Sequence, residues 1–268
     1  MPPDLVPDDL WERVAPLLPP RPPRRHRYPG RLPADDRAAL RGIVYVLCKS
    51  VSWRDVPAEQ VGCSGVTAWR RLRDWTEAGV WPRLHEVLRA ELRAAGMLDM
   101  DDAAIDGSHV RALKGGLTGP SPLDRARPGS KHHLIVDRPR HPLIVALTSG
   151  NRHDVTQLMP LLDAIPRIRG VRGRPHSRPR RLFADRGYDY DKYRRLLRAG
   201  GITPKIARKG TVHGSGPGRT RWVVERTFAW LHQFKRLWVR YEIRADLHLA
   251  LLQLACSIIC LRRLRTSF

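Results

Sequence analysis

The pattern of apolar and polar positions changes character near residue 98. Before it, apolar residues return at helical spacing. Residues 8–18, 36–49, 64–78 and 81–95 each read as an amphipathic helix, the second burying Leu40, Ile43, Val44 and Leu47. Ser64 suits the N-cap of the third helix and Gly79 its stop. After Gly96 shorter apolar runs take over. Residues 103–113 read as a strand, 131–137 and 142–150 as a hairpin turning at 138–141, 181–185 as a strand ending in Asp185, and 202–208 as a short strand. Helical patterns cover 151–165, 189–201, 221–241 and 247–261, and no internal repeat is evident. This order predicts an all-helical domain over 1–98 and an α/β domain over 99–268. The second has a mixed sheet flanked by helices, its first strand beside the later parallel ones.

The longest helical pattern, RWVVERTFAWLHQFKRLWVRY (221–241), gathers Val223, Val224, Trp230, Leu231, Phe234, Leu237 and Trp238 on one face. The other face carries Arg221, Glu225, His232 and Arg236. An Arg221–Glu225 pair one turn apart would explain the lone acid and contributes ~0.2–0.5 kcal/mol. The alternative is that Glu225 holds a metal ion while its cationic neighbours hold an anionic polymer. This segment alone favours the first reading; the rest of the chain favours the second.

Charge shifts the balance. There are 49 Lys and Arg against 26 Asp and Glu, a net +23, with a pI near 11.2. Such a field points to nucleic acid or an anionic membrane, not a small-molecule substrate. It is also uneven: residues 1–100 carry 16 basic and 13 acidic side chains, and 101–268 carry 33 and 13. Glu225 and Glu242 are the only glutamates after residue 100. The N-terminus has no signal-peptide pattern, and the apolar run 247–261, interrupted by His248 and Gln253, is short for a membrane span. The expectation is a soluble cytoplasmic protein without a membrane partner. The cysteines, Cys48, Cys63, Cys256 and Cys260, form no CxxC pair and read as small hydrophobes.

Two basic features suit DNA. A turn at Gly62 followed by a helix bearing Arg70, Arg71 and Arg73 fits a helix-turn-helix whose second helix enters a groove, although a solvated bundle would show the same arginines. Residues 167–181 hold seven arginines and no acid, as a disordered or DNA-contacting loop would.

The acids are placed to use such a polymer chemically. Asp106 follows AAI and precedes GS; Asp185 follows LFA and precedes RG. Aspartate is a poor strand former, so each singly reads as a turn former. Together, on adjacent strand ends with Glu225 on a helix packed across them, they would form three convergent carboxylates. Repulsion among these is relieved by divalent cations, and Mg²⁺ favours such oxygen ligands. Asp137, Asp154 and Asp189 rank lower, since a hairpin turn or a helix start accounts for each. His109 and His153, near strand ends, read first as core or solvated histidines.

IDGSHVRALKGG, GSKHHLIVD, TSGNRHDVTQLMPLLDAI, LFADRGYDYDKYRRLLR and WVVERTFAWLHQFKRL together resemble the DDE transposases of bacterial insertion sequences, specifically the insertion-sequence-five group. LPPRPPRRHRYPGR and SWRDVPAE…VWPRL resemble that group's N-terminal helical domain, so the likeness spans nearly the whole chain. It implies a ribonuclease-H-like catalytic core preceded by a helix-turn-helix-type domain, with Asp106, Asp185 and Glu225 as catalytic and metal-binding acids. It further implies two Mg²⁺ ions (Mn²⁺ substituting), binding to the element's terminal inverted repeats, strand cleavage and strand transfer into target DNA, and assembly as a homodimer or larger on double-stranded DNA in the bacterial cytoplasm. Relatives often place a tyrosine, an arginine and a lysine around the glutamate. Here Arg221 is present, Gly218 stands at the tyrosine position and His232 at the lysine position. Arg221, His232, Lys235 and Arg236 are therefore candidates for DNA-end contacts. Two alternatives stay open: a ribonuclease-H-like nuclease that does not join strands, and a decayed transposase acting as a DNA-binding repressor.

Overall fold

A computed structural model describes residues 4–21, 26–27, 32–170, 175, 177–210 and 218–266, with backbone alone for 218–223. Five helices come first: α1 (Asp8–Val14), α2 (Asp36–Lys49), α3 (Ala58–Val61), α4 (Gly65–Glu77) and α5 (Val80–Ala94). Their ends have local causes. Asp35 caps α2 by accepting from the Ala38 N–H at 2.8 Å, Ser64 caps α4 through the Thr67 N–H at 3.3 Å, and Gly79 (φ 70°) turns the chain into α5.

The sheet follows: β1 (Asp102–Ala112), β2 (Gly119–Pro120), β3 (Pro128–Asp137), β4 (Pro142–Ser149), α6 (Leu158–Asp163), β5 (Arg181–Ala184), α7 (Asp191–Ala199), β6 (Thr203–Ile206), α8 (Gly218–Leu231), β7 (Val239–Arg240) and α9 (Ala245–Arg265). Its main order is β4-β3-β1-β5-β6. β1, β3 and β4 form an antiparallel meander, and β5 and β6 continue parallel to β1. This is a mixed sheet flanked by helices, with β1 beside β5.

Alternation along β1 sorts the two sides. Ala103 and Ile105 join Ile135, Leu143, Leu158, Leu161, Leu182 and Leu197 in a core beneath α6 and α7. Ala104 joins Leu134, Val136, Val145, Val224 and Phe228 in a second core beneath α8 and α9. That second core also contains Leu40, Leu47, Leu72, Trp81 and Leu88 of the N-terminal helices. α9 joins them: it packs on α5, α4 and β4. Polar ties reinforce the joint, His85 Nε2 donating to the Pro142 carbonyl at 2.8 Å and Arg89 to that of Leu143. Residues before and after 98 thus share one apolar core.

Two expectations change. α9 has 21 residues and is long and apolar enough to cross a membrane, so its length does not explain it. Its burial does, since Leu251, Leu252, Leu254, Ala255 and Cys256 are each 0% exposed. The helix expected over 221–241 stops at Leu231. Gln233 and Phe234 turn their N–H groups to carbonyls three residues back, and Phe234 leaves helical geometry at ψ 92°. A short 3₁₀ turn, Lys235–Leu237, then carries the chain to β7. Phe234 and Leu237 are buried in the core they share with α2 and α9, while Trp238 is 57% exposed. Tertiary packing overrides the helical period here.

Candidate active site

Asp106 belongs to a strand that buries apolar residues on both sides, and it faces the side covered by α8 and α9, as Ala104 does. Asp185 follows directly on β5. The parallel register pairs Asp102 with Arg181, Ala103 with Leu182 and Ala104 with Phe183. Continued by two residues, it sets Asp106 beside Asp185. Asp106 does not sit at a strand end, as the sequence had suggested, because β1 runs on to Ala112. β5 pairs with β1 only as far as Ala104, and β7 takes up that edge again at Arg111. The described strands therefore leave a notch along β1, with the two aspartates at its mouth.

Each carboxylate is anchored by one oxygen. Oδ1 of Asp106 accepts the Gly107 N–H at 2.8 Å, and Oδ1 of Asp185 accepts that of Gly187 at 2.8 Å. Asp185 is the N-cap of a 3₁₀ turn, Arg186–Tyr188, and a Cβ on Gly187 would stand 2.9 Å from its Oδ1. The glycine of the ADRG motif is what lets this turn close on its own acid.

Tyr188, three residues after Asp185, is buried in the core beneath α6 and α7, 1% exposed. Burial pushes its phenol well above the usual value, and the negative charges of Asp106, Asp154 and Asp185 add to the shift. Its hydroxyl is buried without a hydrogen-bond partner among the described residues. Asp154 approaches from the other side of β1. Its Oδ1 is 2.9 Å from Lys131 Nζ and 3.8 Å from His133 Nδ1, and would be 3.0 Å from a Cβ on Gly107. Burial holds the His133 imidazole down at about 4, although Asp154 pulls it upward. Asp154 lies in the first turn of a 3₁₀ helix, Asp154–Gln157, as its sequence setting suggests, and it also pairs with a lysine whose side chain is 6% exposed. Sequence reasoning missed Lys131, His133 and Tyr188 altogether. The available signal was Lys131 and His133 on alternate positions just before the apolar run Leu134–Val136 of β3.

The other acids have structural partners. Asp137 Oδ2 is 2.9 Å from His141 Nδ1, closing the β3–β4 turn, and Asp189 binds Arg194 Nε at 2.6 Å. His109 Nδ1 meets Ser121 Oγ at 3.3 Å. His153 lies at an exposed rim, edge-on to Tyr190 with ring centres 5.7 Å apart, and Lys209 Nζ stands 4.0 Å over the Tyr190 ring.

Glu225 stands exposed on α8, next to the buried Val224, on a helix that packs against β1, β3 and β5. Among the described residues no three His, Cys, Asp or Glu side chains form a ready ligand group for a metal. The fold therefore brings Asp106 and Asp185 together and puts Glu225 on the helix over the same face, without closing the three into one set. The donor set of the two aspartates, hard carboxylate oxygens with one oxygen of each fixed by a backbone N–H, fits a divalent cation of the magnesium type.

The basic candidates separate. Arg70 is exposed on α4, Arg71 pairs with Asp36 at 3.1 Å, and Arg73 pairs with Asp74 at 2.7 Å while lying 5.7 Å over the Trp69 ring. The turn before α4 is made by Gly62 (φ 87°), preceded by α3, which has only four residues. Lys235 is exposed, and His232 is half-buried just past the end of α8. The side chain of Arg221 lies outside the described residues, as does part of the arginine-rich segment 167–181, whose Ile168 is 1% exposed; Gly218 is described by its backbone, as the first residue of α8. Arg236 must be corrected. Its guanidinium is buried against Glu242 at 2.8 Å, donates to the Val51 carbonyl at 3.1 Å and stacks 4.7 Å from the Tyr241 ring. It holds the fold and is not presented to DNA.

Residues 98–260 match the family described as "Transposase DDE domain". The chain belongs to the DDE transposases. Residues 6–85 match a second family, described as "Putative transposase of IS4/5 family", so the helical region belongs to the same group. Two relatives come from Burkholderia cepacia. One, "Putative transposase for insertion sequence element IS402", is 60% identical over 148 residues, 55% of this chain and 70% of that protein. The other, "Insertion element IS402 uncharacterized 16.2 kDa protein", is 58% identical over 113 residues, 42% of this chain and 76% of that protein. Among solved structures, the catalytic core domain of BIV integrase is 15% identical, covering 63% of this chain and 98% of its own, at a TM-score of 0.35. This transposase thus presents Asp106 and Asp185 at a notch in the sheet and Glu225 on the covering helix.

Proposed function

We propose that this transposase cuts and joins DNA through Asp106, Asp185 and Glu225, with residues 1–98 binding the terminal inverted repeats of its insertion sequence. The observation that supports this is the parallel β1–β5 register, in which Ala104 pairs with Phe183, two residues before Asp106 and Asp185 respectively. Asp106 and Asp185 would hold divalent cations, Mg²⁺ with Mn²⁺ as a substitute, and Glu225 from α8 would complete the set. When bound, a pair of such ions activates the attacking oxygen and stabilises the leaving oxygen of an in-line phosphodiester displacement. The backbone N–H groups of Gly107 and Gly187 keep the carboxylates oriented for that task. The basic surface, with Arg70 and Lys235 exposed, holds the phosphate backbone. Water and then the freed 3′-hydroxyl serve as nucleophiles, so no covalent protein–DNA adduct forms. The chain acts on double-stranded element ends and target DNA as a homodimer or larger.

The test uses oligonucleotides carrying the inverted repeats that flank the gene. Asp106→Asn, Asp185→Asn and Glu225→Gln should each abolish cleavage while keeping end binding. Wild-type joining by any one of them would sink the assignment. Pre-cut ends separate a transposase, which joins them to target DNA, from a nuclease, which does not.

A further inference from the structure

The β3–β4 hairpin turns with Arg140 at φ 82°, its N–H donating to the Asp137 carbonyl at 3.0 Å. Left-handed backbone favours glycine, and strain kept in a turn points to a use for the side chain. The Arg140 guanidinium lies over the Trp230 ring of α8, with Cζ 5.6 Å from its centre. Arg263 of α9 reaches the same ring, its Cζ 5.9 Å from the centre. Arg226 precedes Trp230 by one helical turn and so shares its side of α8. Three arginines from a hairpin and two helices thus meet around one indole. Arg263 Nε is enclosed without a hydrogen-bond partner among the described residues, and a charged donor so placed calls for an explanation. Burial, and then the positive charges of Arg226 and Arg263, pull the Arg140 pKa down. Such crowding of like charge is relieved by an anion. The cluster lies on the side of the sheet that Asp106 faces, since Thr227 of the covering α8 donates to the Arg140 carbonyl at 3.3 Å. Asp106 pairs with Leu134 and Ala103 with Asp137, so the turn begins three residues along β1 from the acid, about 10 Å at the rise of a strand.

We propose that Arg140, Arg226 and Arg263 form a phosphate clamp, with Trp230 as its support, that grips the backbone of duplex DNA running past the acids, whatever its sequence. This rests on the reading of DNA as the substrate given above. Guanidinium groups bind phosphate oxygens through paired N–H donors, and stacking on an aromatic face keeps them aligned. The occupant is a polyanion, not an acidic protein segment, because the net +23 of the chain is concentrated after residue 100 and suits a continuous line of phosphates.

The test is fluorescence anisotropy of the full chain on two duplexes of equal length across a range of NaCl concentrations, with thermal unfolding and sedimentation beside it. One duplex carries the element's inverted repeat and the other a scrambled sequence. Arg140→Gly, which relieves the left-handed residue, Arg226→Gln and Arg263→Gln are compared with Arg195→Gln, an exposed arginine of α7 across the sheet. Each clamp variant should lower the slope of log affinity against log salt by about 1 on both duplexes, at an unchanged thermal midpoint. Arg195→Gln should keep the wild-type slope. An unchanged slope in Arg140→Gly and Arg226→Gln overturns the clamp, and if their sedimentation shifts instead, the cluster holds an acidic segment of a second copy. An equal fall in Arg195→Gln also overturns it, since overall charge then explains the effect. A fall confined to the repeat duplex assigns the cluster to sequence reading, and a fall with a lowered midpoint in all three variants assigns it to folding; both overturn the proposal. Wild-type protein that binds neither duplex overturns the DNA reading itself.

Discussion

The carboxylate of Asp154 occupies the space that a side chain on residue 107 would need: a Cβ built on Gly107 would lie 3.0 Å from Asp154 Oδ1 and 3.3 Å from His133 Nδ1. Because Gly107 follows Asp106 and its N–H anchors that acid at 2.8 Å, the packing of Asp154 and the orientation of Asp106 are coupled through one peptide unit.

Gly107→Ala should therefore disturb the site more than the fold. Asp154 is held by Lys131 and His133 is buried, so neither yields freely. Overpacking of this kind costs about 1–3 kcal/mol, measurable by urea unfolding. Strand cleavage should fall at least tenfold while DNA binding is kept. Full activity with unchanged stability would show that Asp154 moves aside at no penalty.

Arg70 and Arg71 should differ on DNA although they are neighbours in sequence. Arg70 is exposed, whereas Arg71 is tied to Asp36 at 3.1 Å and reaches Asp74 at 3.8 Å. Removing a phosphate contact lowers the slope of log affinity against log salt by about 1. Arg70→Ala should show that change, and Arg71→Ala should show little. Equal losses for both would mean that the Asp36 pair opens on DNA.

The fold was legible, and the two aspartates stood out, because their determinants are local. Period changes marked the helices and strands, and an acid directly after a short apolar run marked Asp106 and Asp185. What escaped was set by contacts between segments distant in sequence. Arg236 has helical spacing from Glu225, yet a buried glutamate and the carbonyl of Val51 claim it. Phe234 ends the helix by packing among residues more than a hundred positions away. Asp154 reads as an acid at a helix start, and its pairing with Lys131 is made only by the fold.

Stability should fall in acid before the carboxylates titrate. His85, His132, His133 and His248 are buried, and burial first of all lowers each of their pKa values, that of His133 to about 4. In the unfolded chain they bind protons near 6.5, so between about 6.5 and 4 the unfolded state holds more protons than the folded one. Stability then drops as pH falls through that window, by up to ~1.4 kcal/mol per pH unit for each imidazole that stays neutral. The urea midpoint at pH 5.5 should lie below that at pH 7.5, and His133→Gln should make the slope shallower. A midpoint flat across this range would show the imidazoles to be protonated in place.

Arg236 gives the sharpest contrast between the two ways of reading its arginine. As a DNA contact on an exposed stripe, its loss would weaken binding and leave stability alone. As placed, it meets Glu242 at 2.8 Å with side chains 6% and 3% exposed, and it ties Val51 to the segment entering α9. Arg236→Met would leave the Glu242 carboxylate buried with His248 Nδ1, 3.4 Å away, as a remaining polar partner. Breaking one side of a buried pair is destabilising by about 3–5 kcal/mol, whereas replacing both sides with apolar residues is often close to neutral. Urea unfolding should therefore show Arg236→Met strongly destabilised and the Arg236→Met/Glu242→Leu double variant largely restored. The restored protein should keep the wild-type salt slope for DNA, since no phosphate contact has been lost. A reduced slope in a fully stable double variant would return Arg236 to the DNA interface.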